Sequence, residues 1–196
     1  MVSKPRNFAQ WMRCPRLLRR WRRDEAGVTS IEFAIVSMPF LLLLFGIISV
    51  SVYYFTNFTI ENAAWQASRA IRTGQLQQGQ GAYTGTVTSD DRKKAFKKAL
   101  CSYVPMFLDC ESKAVIIVQS NANFGSITQP SCATNGVLTN DATASFDTGN
   151  ASSVVLITVC YPWATGSKLP FFKLGNLQGG AVLMQASVAL RTEPYK

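Results

Sequence analysis

Residues 33–55 read FAIVSMPFLLLLFGIISVSVYYF, 23 positions without a charge. As a helix this run is about 35 Å long, enough to cross a hydrocarbon core of about 30 Å. Fourteen of its residues are Leu, Ile, Val or Phe. At roughly −0.3 to −0.6 kcal/mol each they favour insertion by on the order of 4 to 8 kcal/mol, which Pro39 and Gly46 offset only in part. The other way to hide such a helix is to surround it with protein. A chain of 196 residues has room for one ordinary domain, and that reading would demand a core enclosing the helix on all sides.

Charge sets the expected orientation. Residues 1–27 carry eight Lys and Arg against two acids, while the remainder carries twelve against nine. The cations therefore stand beside the apolar run, which Tyr53, Tyr54 and Phe55 close like an interfacial aromatic belt. The positive-inside rule then places a basic leader, residues 1–27, in the cytoplasm and everything after residue 55 across the membrane. A cleaved secretory signal shares the basic-then-apolar layout. Its apolar region is about 7 to 15 residues long and ends in paired small residues, whereas this run is longer and continues as YYFTNFTIENAAWQ. The chain has no histidine. That removes the usual general base, the commonest zinc ligand and the Ser/His/Asp and Cys/His arrangements.

At the mouth of the apolar run the sequence is Glu25-Ala26-Gly27-Val28-Thr29-Ser30-Ile31-Glu32-Phe33. An acid at membrane depth is unfavourable, by up to about 2.5 to 3.5 kcal/mol at the centre, and is usually paired. Near the headgroups the positive end of the helix dipole also favours an anion, so Glu32 has an ordinary explanation as well. The pattern Gly27-Val-Thr-Ser-Ile-Glu32-Phe33 before an apolar helix resembles the processing site of type IV prepilins. The resemblance implies a membrane peptidase that cuts after Gly27, making Val28 the first mature residue and Glu32 the fifth. Glycine at the cut lets the backbone lie extended in a protease cleft. A glutamate one helical turn beyond the new terminus can pair with an ammonium, which in pilin-like assemblies belongs to the neighbouring subunit; such a desolvated pair sets register more than it stabilises.

Further along, Pro39, the leucines 41–44, Ala63-Ala64, Ala67, Arg69-Ala70 and Arg72-Thr73-Gly74 resemble the TadE-like family of the tight-adherence pilus system. Cys101 with Cys110, the strand ending Tyr161-Pro162-Trp163, and the closing Arg191-Thr192-Glu193-Pro194-Tyr195 are similar to the C-terminal half of that family. Together these features cover most of residues 25–196.

The region beyond the membrane is expected to be small and α+β. Residues 56–73 place Ile60, Ala63, Ala64, Ala67, Ala70 and Ile71 on one narrow helical stripe, suited either to neighbouring subunits or to this chain's own sheet. Gly74, Gly79, Gly81 and Gly85 mark a connection that lacks the Gly-Lys-Ser/Thr of a phosphate loop. Residues 90–104 are expected to form a helix with Phe96, Ala99, Leu100 and Tyr103 opposite Lys93, Lys94, Lys97 and Lys98. That basic face suits either solvent or lipid headgroups. Strands are expected at 114–119, 154–161 and 182–190, forming an antiparallel sheet, with a long loop or irregular hairpin over 121–153. Exported cysteines are expected to pair, and four of them allow three connectivities. Closeness in sequence favours Cys101 with Cys110, and elimination leaves Cys132 with Cys160. Cys14 lies in the leader. A metal site is the alternative, but neither histidine nor a C-x-x-C pair supports it.

The expected organisation is a leader over 1–27, a transmembrane helix and its extension over 28–74, and an exported disulfide-bearing domain over 75–196. The family resemblance implies a non-enzymatic, pilin-like component of a tight-adherence pilus or secretion apparatus, acting in pilus assembly and surface adhesion and held in a bacterial inner membrane with its domain in the periplasm. Its implied partners are the membrane, a prepilin peptidase, other pilin-like subunits and Tad assembly proteins, with no cofactor, nucleic acid or small-molecule substrate. The rival is a membrane-tethered periplasmic binding or enzymatic domain, built on acids such as Asp109, Glu111, Asp141 and Asp147.

Overall fold

The computed structural model describes residues 27–164 and 175–195. The leader, with Cys14, lies outside them. Helix α1 (Val28–Arg72) is 45 residues long and runs through Pro39. It is followed by a short α2 (Gln75–Gln78), α3 (Ser89–Cys101), a four-residue α4 (Cys110–Lys113) and strand β1 (Val115–Asn121). The hairpin β2 (Ala133–Thr134) and β3 (Val137–Leu138) comes next, then the long strands β4 (Val154–Trp163) and β5 (Val182–Arg191). The expected α+β class and three-stranded antiparallel sheet are both present. The chain divides into two compact units between Val50 and Ser51, inside α1.

In the first unit, α1 crosses a stretch whose most apolar part has none of its residues buried. Two of its serines are served by the helix itself: Ser37 Oγ donates to the Ala34 carbonyl at 3.1 Å and Ser49 Oγ to that of Phe45 at 2.7 Å. Such self-satisfaction is what a hydrocarbon surrounding requires.

The second unit is built on the sheet β1-β4-β5, all neighbours antiparallel, with β4 central. Opposed residues such as Ile116, Val159 and Ala186, or Val118, Ile157 and Val188, share one face and pack in the main core with Ile60, Ala63, Ala64, Ala67, Ala70 and Ile71 of α1. The alanine stripe thus belongs to this chain's own sheet, because small side chains let the helix backbone lie close on it. Phe96 and Leu100 of α3 complete that core. The other face of the sheet buries Val115, Ile117 and Cys160 against Cys132 and Leu138. Pro162 is accommodated in the central strand because β1 begins at Val115, opposite Cys160, leaving that edge of β4 without a β1 partner beyond Cys160.

Helix α1 stops at Gly74, whose φ of 77° lies in the left-handed region. The Tyr195 ring occupies the place a Cβ would need there, so both conformation and space demand glycine. The tail is fixed at the same point, where Glu193 N donates to the Arg72 carbonyl at 2.8 Å.

Helix α3 opens on a capping box: Asp91 N donates to Thr88 Oγ1 at 3.1 Å, and Thr88 N donates back to the Asp91 carboxylate at 3.4 Å. Its lysines do not form one solvated face. Lys97 lies 2.9 Å and Lys93 3.5 Å from the carboxylate of Asp141, and Lys93 also donates to the Asp141 and Ala144 carbonyls, while Lys94 and Lys98 are exposed. Residues 121–153 supply this counter-charge, which spacing along α3 does not reveal. Burial pushes the Asp141 carboxyl up, but hydrogen bonds from Lys97 and Ile116 N and the charges of both lysines outweigh it and hold the group below its ordinary value of 3.8. A depressed folded value stabilises the protein above the unfolded value and is lost as pH falls through the folded one. Asp141→Asn is therefore expected to lower stability by about 2 kcal/mol at neutral pH. It should also remove part of the acid destabilisation seen below the ordinary carboxylate range. Urea unfolding of the full chain at pH 7 and in that acid range measures both effects.

Candidate functional site

The residues singled out at the junction lie at the start of α1. Gly27 immediately precedes the helix, and nothing stands within 4 Å of where a side chain on it would begin. Val28, Glu32 and Phe33 are exposed on the first turns. Among the described residues no ion pair reaches Glu32, in contrast to Arg72, Lys93, Lys97 and Lys113, which all find carboxylates. The arrangement is a glycine with an open approach, a helix start, and an acid one turn in.

Beyond the apolar run, α1 has two different faces. Thr56, Ile60, Ala63, Ala64, Ala67, Ser68, Ala70 and Ile71 are buried in the domain. Tyr54, Phe58 and Trp65 are exposed, Phe58 at 73 %. Spacings of four and eleven residues put these three aromatics on one side of a helix. Any helix that packs against the outside of α1 meets this aromatic row. Reading for small residues found the inward face and missed the outward one; the aromatic spacing was the available signal.

Two cysteine pairs stand at disulfide distance, with S–S separations of 1.93 Å for Cys101 and Cys110 and 1.90 Å for Cys132 and Cys160. The first closes a loop between α3 and α4, and the second ties residues 121–153 to the central strand. Tyr161, on β4, donates its hydroxyl to the Leu108 carbonyl within that first loop. Burial, and then the charge of Asp109, push the Tyr161 phenol up, so it remains a donor. Two residues on, the Trp163 ring meets Tyr53 of α1 edge-on, with centroids 5.6 Å apart.

The four acids proposed for the rival reading are not brought together. Asp109 pairs with Lys113 at 3.7 Å, Asp141 holds the two lysines, and Asp147 accepts from Ser120 Oγ and Gly149 N. A polar cleft of about 380 Å³ beside Asp147 is lined by Ser89, Arg92, Asn150 and Ser153. Among the described residues no group of three or more Cys, Asp or Glu could hold a metal ion.

Residues 27–69 match the model of a protein family described as TadE-like protein. The matched stretch begins at the glycine before α1 and is consistent with a TadE-like family member, which suggests a Tad pilus-associated component. The cysteine pairs, Tyr161-Pro162-Trp163 and the closing Arg191–Tyr195 segment lie beyond the match. No curated protein and no solved structure matches the chain. Among the described residues α1 alone is long and apolar enough to cross a membrane, consistent with a single-pass membrane protein.

Proposed function

We propose that this chain is a non-enzymatic, pilin-like component of a tight-adherence pilus or its secretion apparatus, held in the bacterial inner membrane before assembly. The leader faces the cytoplasm and the domain faces the periplasm. A prepilin peptidase cuts between Gly27 and Val28, and other pilin-like subunits and Tad assembly proteins receive the product. The role is that of a minor subunit, because the major pilins of this system are much shorter chains.

The observation that carries this reading is Glu32, an exposed acid one turn into an unburied apolar helix, inside the family match and with no ion pair among the described residues. An acid so placed is unfavourable in lipid unless a partner arrives. The ammonium at Val28 of an adjacent processed subunit has the right charge, and the aromatic row of Tyr54, Phe58 and Trp65 offers a surface for lateral packing. Disulfides keep the head folded while it presents contacts for the tip or for other minor subunits.

Glu32→Ala is expected to leave membrane insertion and head folding intact and to reduce surface piliation several-fold. Counting surface fibres in cells with matched membrane levels of the protein checks this. Unchanged piliation would remove Glu32 from the mechanism.

A further inference from the structure

The loop closed by Cys101 and Cys110 carries an apolar tip that the core does not use. Met106 is 97 % exposed and Phe107 71 %, and Tyr103 is exposed beside them. These are not loose side chains. Pro105 leads into a 3-10 turn over Met106–Leu108, the flanking Val104 and Leu108 are buried, and the cysteines stand at disulfide distance. The fold therefore holds two large apolar groups outward on a fixed turn.

Their place in the domain says what covers them. Leu108, next to Phe107, accepts the hydrogen bond of Tyr161, and Tyr161 shares its sheet face with Trp163 about 7 Å along the strand. Trp163 in turn packs on Tyr53. Tyr53 belongs to the uncharged run, two residues before its end. The opposite end of the sheet, where Glu193 meets Arg72, lies about 28 Å farther along α1. The loop thus stands at the level where α1 leaves its apolar run, and its nearest acid, Asp109, is paired with Lys113.

We infer that the Met106–Phe107 turn is a second membrane contact, which inserts into the outer part of the leaflet from which α1 emerges, with Tyr103 at headgroup depth. The partner is the lipid surface itself. The contact would fix the height and tilt of the head on the bilayer. Withdrawal of the turn from lipid would then accompany extraction of the subunit. The inference rests on residues 33–55 lying in the bilayer.

The test uses the full chain with 13C-methyl-labelled methionine, one copy per lipid nanodisc, and compares a lipid-borne nitroxide with a water-borne gadolinium chelate. The Met106 methyl is expected to broaden strongly with the lipid-borne probe and little with the chelate, while buried Met184 stays sharp with both. Phe107→Ser should weaken the lipid effect at Met106 without moving Met184. Met38, inside the apolar run, reports on the span separately. Broadening of Met106 by the chelate alone, with Met38 reached by the lipid probe, would overturn the contact and leave the span. Protection of Met106 only in discs holding two copies would assign the turn to a second copy and equally overturn it. Broadening of Met38 by the chelate would remove the span, and the contact with it.

Discussion

Exchanging Cys132 and Cys160 together for alanine is expected to destabilise the domain by about 3 to 4 kcal/mol, the effect of opening a loop of this size in the unfolded chain. The residues are 28 apart in sequence, and both are almost wholly buried beside Val115 and Ile117. Their loss frees residues 121–153 from the second face of the sheet and exposes an apolar layer. The pair Cys101 and Cys110, only nine apart, should contribute about 2.5 kcal/mol by the same reasoning. Urea unfolding of each double variant, followed by near-UV circular dichroism, gives the comparison. A larger loss from the shorter loop would contradict it.

Phe96→Ala is expected to lower stability by about 3 to 5 kcal/mol, the range for deleting a fully buried aromatic ring. Phe96 is inaccessible to solvent, sits in the main core, and meets the Phe146 ring with centroids 5.9 Å apart. It therefore links α3 to residues 121–153 as well as to the sheet. Lys94→Ala, two residues away and exposed, should change stability by no more than about 0.5 kcal/mol. Equal effects from the two substitutions would mean that α3 is not packed as described.

The elements that were legible are those whose signal is contained in one segment. The uncharged run declares a helix by length and composition, and the Val and Ile runs at 115–118, 154–159 and 182–190 declare strands. The strand ends shifted slightly, with β4 reaching Trp163, because pairing with Val182 continues past the proline. Less was legible where two distant segments share the answer. The alanine stripe fits a neighbouring subunit or the chain's own sheet equally well until the tertiary fold assigns it inward. The lysines of α3 read as a solvated or headgroup-binding face, yet two of them are held by Asp141, more than forty residues away. One local signal adds precision: Asn135-Gly136, both at positive φ, makes the tight turn between β2 and β3 inside what reads as a long loop or irregular hairpin. At the junction, Gly27, Val28, Glu32 and Phe33 were legible as a motif because their spacing is itself the signal. Their role depends on a peptidase and a second subunit.

The central claim is that α1 is an assembly element released by processing, and the amino terminus of the membrane protein purified from its own host tests it most directly. Intact-mass and N-terminal peptide mass spectrometry are expected to find a chain beginning at Val28, with an intact leader reappearing when the host's prepilin peptidase is deleted. A chain that keeps residues 1–27 in a piliated, peptidase-competent host would contradict the account, leaving α1 as a membrane tether alone.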